Sequence, residues 1–218
     1  MDIPTEYYKN LATSSLITCI YVPAVLCALN FSGNLYNIGK EATYIEYVLA
    51  MAEILKFLRC HLTQKSSKKK ISVKLVFKTF VTCLMTVGVF YVGAVLFGAP
   101  VLSEHYETLF FSILMTILTA LPVCLFLEPG CVFNLFSSLT YFEGTQLQEY
   151  FLLNIRMTVF GAWLGAIVIP LDWNKPYQDW PIPCCCGALA GYFIANLSAA
   201  FSYGNAGHIS QKRSKFGL

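Results

Sequence analysis

Few residues in this chain are of a type that does chemistry, and their spacing argues against catalysis. There are three Asp (Asp2, Asp172, Asp179) and three His (His61, His105, His208) in 218 residues. Metal-assisted group transfer by two ions needs a close clamp of carboxylates and imidazoles. The candidates on one side of the expected topology are Glu41, Glu104, His105, Glu107, Asp172 and Asp179, divided among three loops and too sparse for such a clamp. Six cysteines (Cys19, Cys27, Cys60, Cys83, Cys124, Cys131) are scattered, and Cys184, Cys185 and Cys186 are contiguous. No CxxC pair is matched by a second, so zinc lacks its ligands, and cysteine reads as small apolar filler. No GxSxG, HExxH or phosphate-loop pattern occurs. The expectation is no catalytic residue, no metal and no cofactor.

Two groups remain that could bind rather than react. Glu46, Glu53 and Lys56 lie inside an apolar run, spaced so that all three fall near one helical face. An ionisable group near mid-bilayer costs several kcal/mol unless it faces the bundle or a partner. Either these residues form a polar seam for a partner helix or a lipid headgroup, or Glu53 pairs with Lys56 internally and Glu46 reaches the surface. The second group is a short polar loop holding Asp172, Trp173, Lys175, Pro176, Gln178, Asp179, Trp180 and Pro181. Its aromatic residues suit a membrane interface. Its charges and stiffening prolines suit a recognition platform as well.

The elements that must position these groups follow from composition. Hydrophobic residues make up 56% of the chain and charged residues 12%, with mean hydropathy +0.59. Soluble chains carry roughly a quarter charged residues, so a soluble domain is excluded. The net charge of +3 is modest and clustered, and nucleic-acid binding can be set aside. Long apolar runs without period-2 alternation predict helices, about six spans of ~20 residues. The fold class is thus all-α and polytopic, one membrane domain over residues 1–218. Its spans are expected near 11–30, 43–62, 75–99, 108–127, 151–170 and 182–203. Only Lys9 supports a signal-peptide n-region, so the first run reads as an uncleaved span. Residues 131–150 are too polar to span and are expected along the interface.

Basic residues set the orientation. Lys65, Lys68, Lys69, Lys70 and Lys74 form the main basic run, and Lys9 and the tail's Lys212, Arg213 and Lys215 fall on the same side. By the positive-inside rule both termini are cytoplasmic and the 172–181 loop faces the other way. On either side of that loop, Gly161 and Gly165, then Gly187 and Gly191, are four apart. Such ladders let two helix backbones approach closely in lipid.

The residues around the loop carry a resemblance. Gly161-Ala162-Trp163-Leu164-Gly165-Ala166, residues 169–173, Pro176, Gln178 and Trp180-Pro181-Ile182 resemble the signature of the phosphatidylinositol-glycan biosynthesis class F (PIG-F) family. Gly98-Ala99-Pro100, then Glu107-Thr108-Leu109-Phe110 and the Pro122 helix, fit the same pattern, so the resemblance covers about residues 97–197. Asn174-Lys175 stands where an acid followed by Arg is expected, and Tyr177 where Trp is expected. Lys cannot form the bidentate contacts of Arg. The resemblance implies a non-catalytic, multi-pass subunit of the endoplasmic reticulum membrane. Its implied partner is a large ethanolamine-phosphate transferase that modifies mannoses of the glycosylphosphatidylinositol (GPI) precursor, which it stabilises. Membrane lipids and the GPI precursor are further expected partners, and the 172–181 loop is the segment expected to meet either the transferase or the lipid-linked glycan. The alternative class is a small lipid or solute transporter or scramblase, to which the charges of the second span lend support.

Overall fold

Apolar runs of this length satisfy their backbone groups internally, and the apolar runs among the described residues do so as helices. The computed structural model describes residues 5–38, 44–63, 72–100, 104–137, 145–171 and 175–216. Among them are seven α-helices and no strand: α1 Thr5–Phe31, α2 Tyr44–Thr63, α3 Val73–Leu96, α4 His105–Phe126, α5 Cys131–Ser137, α6 Gln146–Ala166 and α7 Ile182–Phe216. Short 3-10 turns occupy Asn34–Asn37 and Pro176–Gln178.

Most expected spans coincide with a helix, and the departures have local causes. The fifth was expected over 151–170, whereas α6 runs from Gln146 to Ala166. Its start is set by a capping box: Thr145 Oγ1 accepts from the Gln148 N–H, and Gln148 Oε1 accepts from the Thr145 N–H at 2.9 Å. The last span was expected to end near 203, but α7 continues to Phe216. No proline follows Pro183 to stop it. The segment expected along the interface begins with the short helix α5, whose Val132 and Leu135 are buried.

Among the described residues, four helical stretches are long and apolar enough to cross a membrane: Asn10–Phe31, Val73–Leu96, His105–Phe126 and Ile182–Gly204. The other two expected spans fall short in apolarity for a visible reason. α2 contains Glu46, Glu53, Lys56 and Arg59, and α6 contains Gln146, Gln148, Glu149, Asn154 and Arg156.

α4 is the central helix. Within its apolar stretch 72% of residues are buried, against 11% for α3, which rests mainly on α4 at the outside. Burying α4 means burying its hydroxyls, and these are satisfied along the helix itself. Ser112 Oγ donates to Thr108 O at 2.7 Å, Thr116 Oγ1 to Ser112 O at 2.9 Å, and Thr119 Oγ1 to Met115 O at 2.6 Å. Pro122 removes one rung of the α4 ladder and frees the Leu118 carbonyl. Asn154 Nδ2 of α6 reaches that carbonyl at 3.4 Å, so a neighbouring helix supplies the missing donor. The most extensive helix pairs are α6 with α7, α1 with α7 and α3 with α4.

Candidate functional site

Two of the α2 charges, Glu53 and Lys56, turn inward. Glu53 is wholly buried and Lys56 nearly so, and Lys56 Nζ lies 2.8 Å from Glu53 Oε1. Lys56 Nζ also donates to Thr18 Oγ1 of α1 at 2.7 Å and to the Tyr192 hydroxyl of α7 at 3.3 Å. Three acceptors thus meet the three ammonium protons. The same nitrogen lies 5.5 Å from the Tyr21 ring centroid and 5.7 Å from that of Tyr192, within cation–π range. Both tyrosine hydroxyls donate to Glu53 Oε1. An ion pair taken out of water is tolerated only where hydrogen bonds replace hydration, and α1 and α7 supply them. One turn further along α2, Arg59 Nη2 donates to Ser14 Oγ at 2.8 Å. Glu46 stands apart from this cage: it lies in the first turn of α2, and its buried Oε1 has no hydrogen-bond partner among the described residues.

A second polar cluster lies beside the cage. The Tyr150 hydroxyl donates to Asn196 Oδ1 at 2.8 Å and receives Ser15 Oγ at 3.5 Å. Asn196 Nδ2 reaches Asn154 Oδ1 at 3.4 Å and the Tyr192 carbonyl at 2.9 Å. Side chains of α1, α2, α6 and α7, with an α4 carbonyl, are therefore stitched together in the interior.

The four glycines form the α6–α7 contact. A methyl on Gly161 would overlap the carbonyl oxygen of Gly187, and one on Gly187 would overlap that of Gly161. Methyls on Gly165 and Gly191 would strike the carbonyl oxygens of Pro183 and Met157. Every obstacle is backbone, so no side-chain rotation relieves it.

The loop divides into an inward and an outward half. Gln178 is buried; its Nε2 donates to Val168 O at 3.0 Å and to Leu171 O, and its Oε1 accepts from the Lys175 N–H at 3.0 Å. It thereby closes the turn that ends α6. Trp180 Nε1 donates to Thr108 Oγ1 at 3.1 Å, with its ring 5.2 Å from Phe111, which ties the loop to the start of α4. Pro181 is buried, while Lys175, Pro176, Tyr177 and Asp179 are exposed. Asp172 and Trp173, also assigned to this loop, lie outside the described residues, as does most of the basic run (Lys65, Lys68, Lys69 and Lys70). His105 and Tyr106 are exposed at the start of α4, and Glu107 is half-buried. Among the described residues no three His, Cys, Asp or Glu side chains converge.

The cage residues Thr18, Tyr21 and Tyr192, and the Tyr150–Asn154–Asn196 cluster, were missed in the sequence. A signal was available: Asn154 and Asn196 stand inside apolar runs, where an amide must find a partner.

Fold and site together define an all-helical polytopic membrane protein whose interior polar groups join its own helices. The chain belongs to the GPI biosynthesis protein family Pig-F, which it matches over residues 5–200. It is 30% identical over 222 residues to the human protein named "GPI ethanolamine phosphate transferase, stabilizing subunit", with 97% of each chain covered. The mouse protein of the same name is 29% identical over 223 residues, again with 97% of each covered. "Glycosylphosphatidylinositol anchor biosynthesis protein 11" of Yarrowia lipolytica is 38% identical over 103 residues, 47% of this chain and 44% of that one. No solved structure matches the chain.

Proposed function

We propose that this chain is a non-catalytic, stabilising membrane subunit of an ethanolamine-phosphate transferase in GPI-anchor biosynthesis. It supports transfer of ethanolamine phosphate to a mannose of the GPI precursor, and a larger partner carries the catalytic groups. The carrying observation is similarity along the whole chain to mammalian proteins named as stabilising subunits. The family's pathway favours residence in the endoplasmic reticulum membrane.

In this reading α2 and α6 cross the bilayer with the four more apolar helices, giving six spans in one domain with both termini cytoplasmic. Twenty residues of α2 reach about 30 Å, the thickness of the hydrocarbon core. Its cage charges face α1 and α7, while Tyr47, Val48, Met51, Leu55 and Leu58 face outward. Leu153, Phe160, Trp163 and Leu164 do the same on α6. Both helices thus offer lipid an apolar surface that average composition hides. The outward half of the loop (Lys175, Pro176, Tyr177 and Asp179), together with Asp172 and Trp173 outside the described residues, is the part we assign to the partner or the lipid-linked glycan. Gln178, Trp180 and Pro181 hold it in place. A transporter or scramblase has less support, because Glu53 and Lys56 close on each other instead of lining a path.

The test is a mild-detergent pull-down of the tagged chain, with mass spectrometry of what accompanies it. Stoichiometric recovery of a large ethanolamine-phosphate transferase is the expected result. A lone chain or homodimer that moves lipid or solute in liposomes would overturn the proposal in favour of transport.

A further inference from the structure

The Glu53 carboxylate is unevenly served. Its Oε1 receives Lys56 Nζ and the hydroxyls of Tyr21 and Tyr192, whereas Oε2 is buried and no donor among the described residues reaches it. A buried carboxylate oxygen left bare carries the desolvation cost of a charged group with nothing to offset it. Glu53 also borders a small cavity, about 10 Å³, whose polar walls are Ser14, Glu53, Lys56, Tyr150 and Tyr192 and whose remaining walls, Phe151 among them, are apolar. That is room for one water.

The chemistry of the walls selects among possible occupants. A cation would meet the Lys56 ammonium, and an anion would meet the Glu53 carboxylate. A small neutral donor–acceptor fits both. Ser14 Oγ already accepts from Arg59 and keeps its own proton to give. The Tyr150 hydroxyl spends its proton on Asn196 and receives Ser15 only at a long 3.5 Å, so its oxygen keeps a lone pair with which to accept. We propose that one water molecule is bound here, donating to Glu53 Oε2 and to the Tyr150 oxygen and accepting from Ser14. It joins the Glu53–Lys56 cage to the Tyr150–Asn196–Asn154 cluster as one network across the bundle. The proposal rests on the bundle alone and stands whatever partner the chain binds.

Hydroxyl-radical labelling of the full chain in lipid nanodiscs, read by mass spectrometry, tests it. Radicals arise from water in place, so rings beside a bound water are labelled although buried. Corrected for ring type, Tyr150, Tyr192 and Phe151 should be labelled roughly threefold or more faster than the similarly buried Phe110 and Phe111. Labelling of all three at the level of Phe110 would overturn the site. Ser14→Thr keeps the hydroxyl that Arg59 uses and adds a methyl at the cavity wall. The excess should then fall to the Phe110 level. An undiminished excess in a variant of unchanged thermal stability would place the water elsewhere and also overturn the proposal.

Discussion

At the scale of single residues, the decisive fact is that a charge pair buried among tyrosines is costly to break and less costly to remove. Lys56→Met leaves the Glu53 carboxylate unpaired, and Glu53→Gln leaves the ammonium unpaired. Each single change should destabilise the chain by about 3–5 kcal/mol. The double change Glu53→Met/Lys56→Met should cost clearly less than the two singles together, because neither charge then remains. Thermal unfolding of the purified chain in detergent measures all three. Strictly additive losses would mean that the two residues do not act as a pair. The pairing of Glu53 with Lys56 was one of two readings open in the sequence, since residues three apart on a helix are neighbours. That Tyr21, Thr18 and Tyr192 close around them could not be read from it. Those residues lie 32 to 139 positions away, and only helix packing brings them near.

At the scale of elements, glycines of equal appearance have unequal roles. Gly161 and Gly191 face backbone carbonyls across the α6–α7 contact, whereas a methyl on Gly88 of α3 would meet open space. Gly161→Ala or Gly191→Ala should therefore force the helices apart and cost at least about 3 kcal/mol, the upper range for overpacking. Gly88→Ala should instead stabilise by about 0.5–1 kcal/mol, the ordinary gain from replacing a mid-helix glycine. Steady-state level and melting temperature of the three variants check this. Equal effects at Gly88 and Gly161 would contradict the packing described. The four-residue spacing pointed to close packing from the sequence. The partner helix was not determined by spacing, because a small-residue ladder suits a helix of the same chain or of another one.

At the scale of the whole molecule, the prediction concerns orientation. With six spans, an N-glycosylation acceptor inserted between residues 172 and 176 should be modified, because that loop faces the lumen in the proposed topology. An acceptor inserted between residues 65 and 70 should stay unmodified. A gel shift of each product reads the outcome. Modification at 65–70 would invert the topology and move the outward half of the loop away from the proposed partner's side. The basic run carries this expectation on its own, through charge asymmetry. The distinction within the loop does not follow from charge. Trp180 and Gln178 look like recognition residues in the sequence, but in the fold they spend their donors on Thr108, Val168 and Leu171.

What the sequence determined by itself is what depends on composition and local spacing: a membrane protein, all helix, with the glycine ladders and the family signature. These follow because burial in lipid leaves the backbone few options and because neighbours within one helix are set by its pitch. The tertiary structure decided which polar side chains meet. α2 carries buried charges because two tyrosines and a threonine from α1 and α7 replace their water. Such contacts join residues far apart in the chain, and their energies depend on ångström-scale distances that no local pattern encodes.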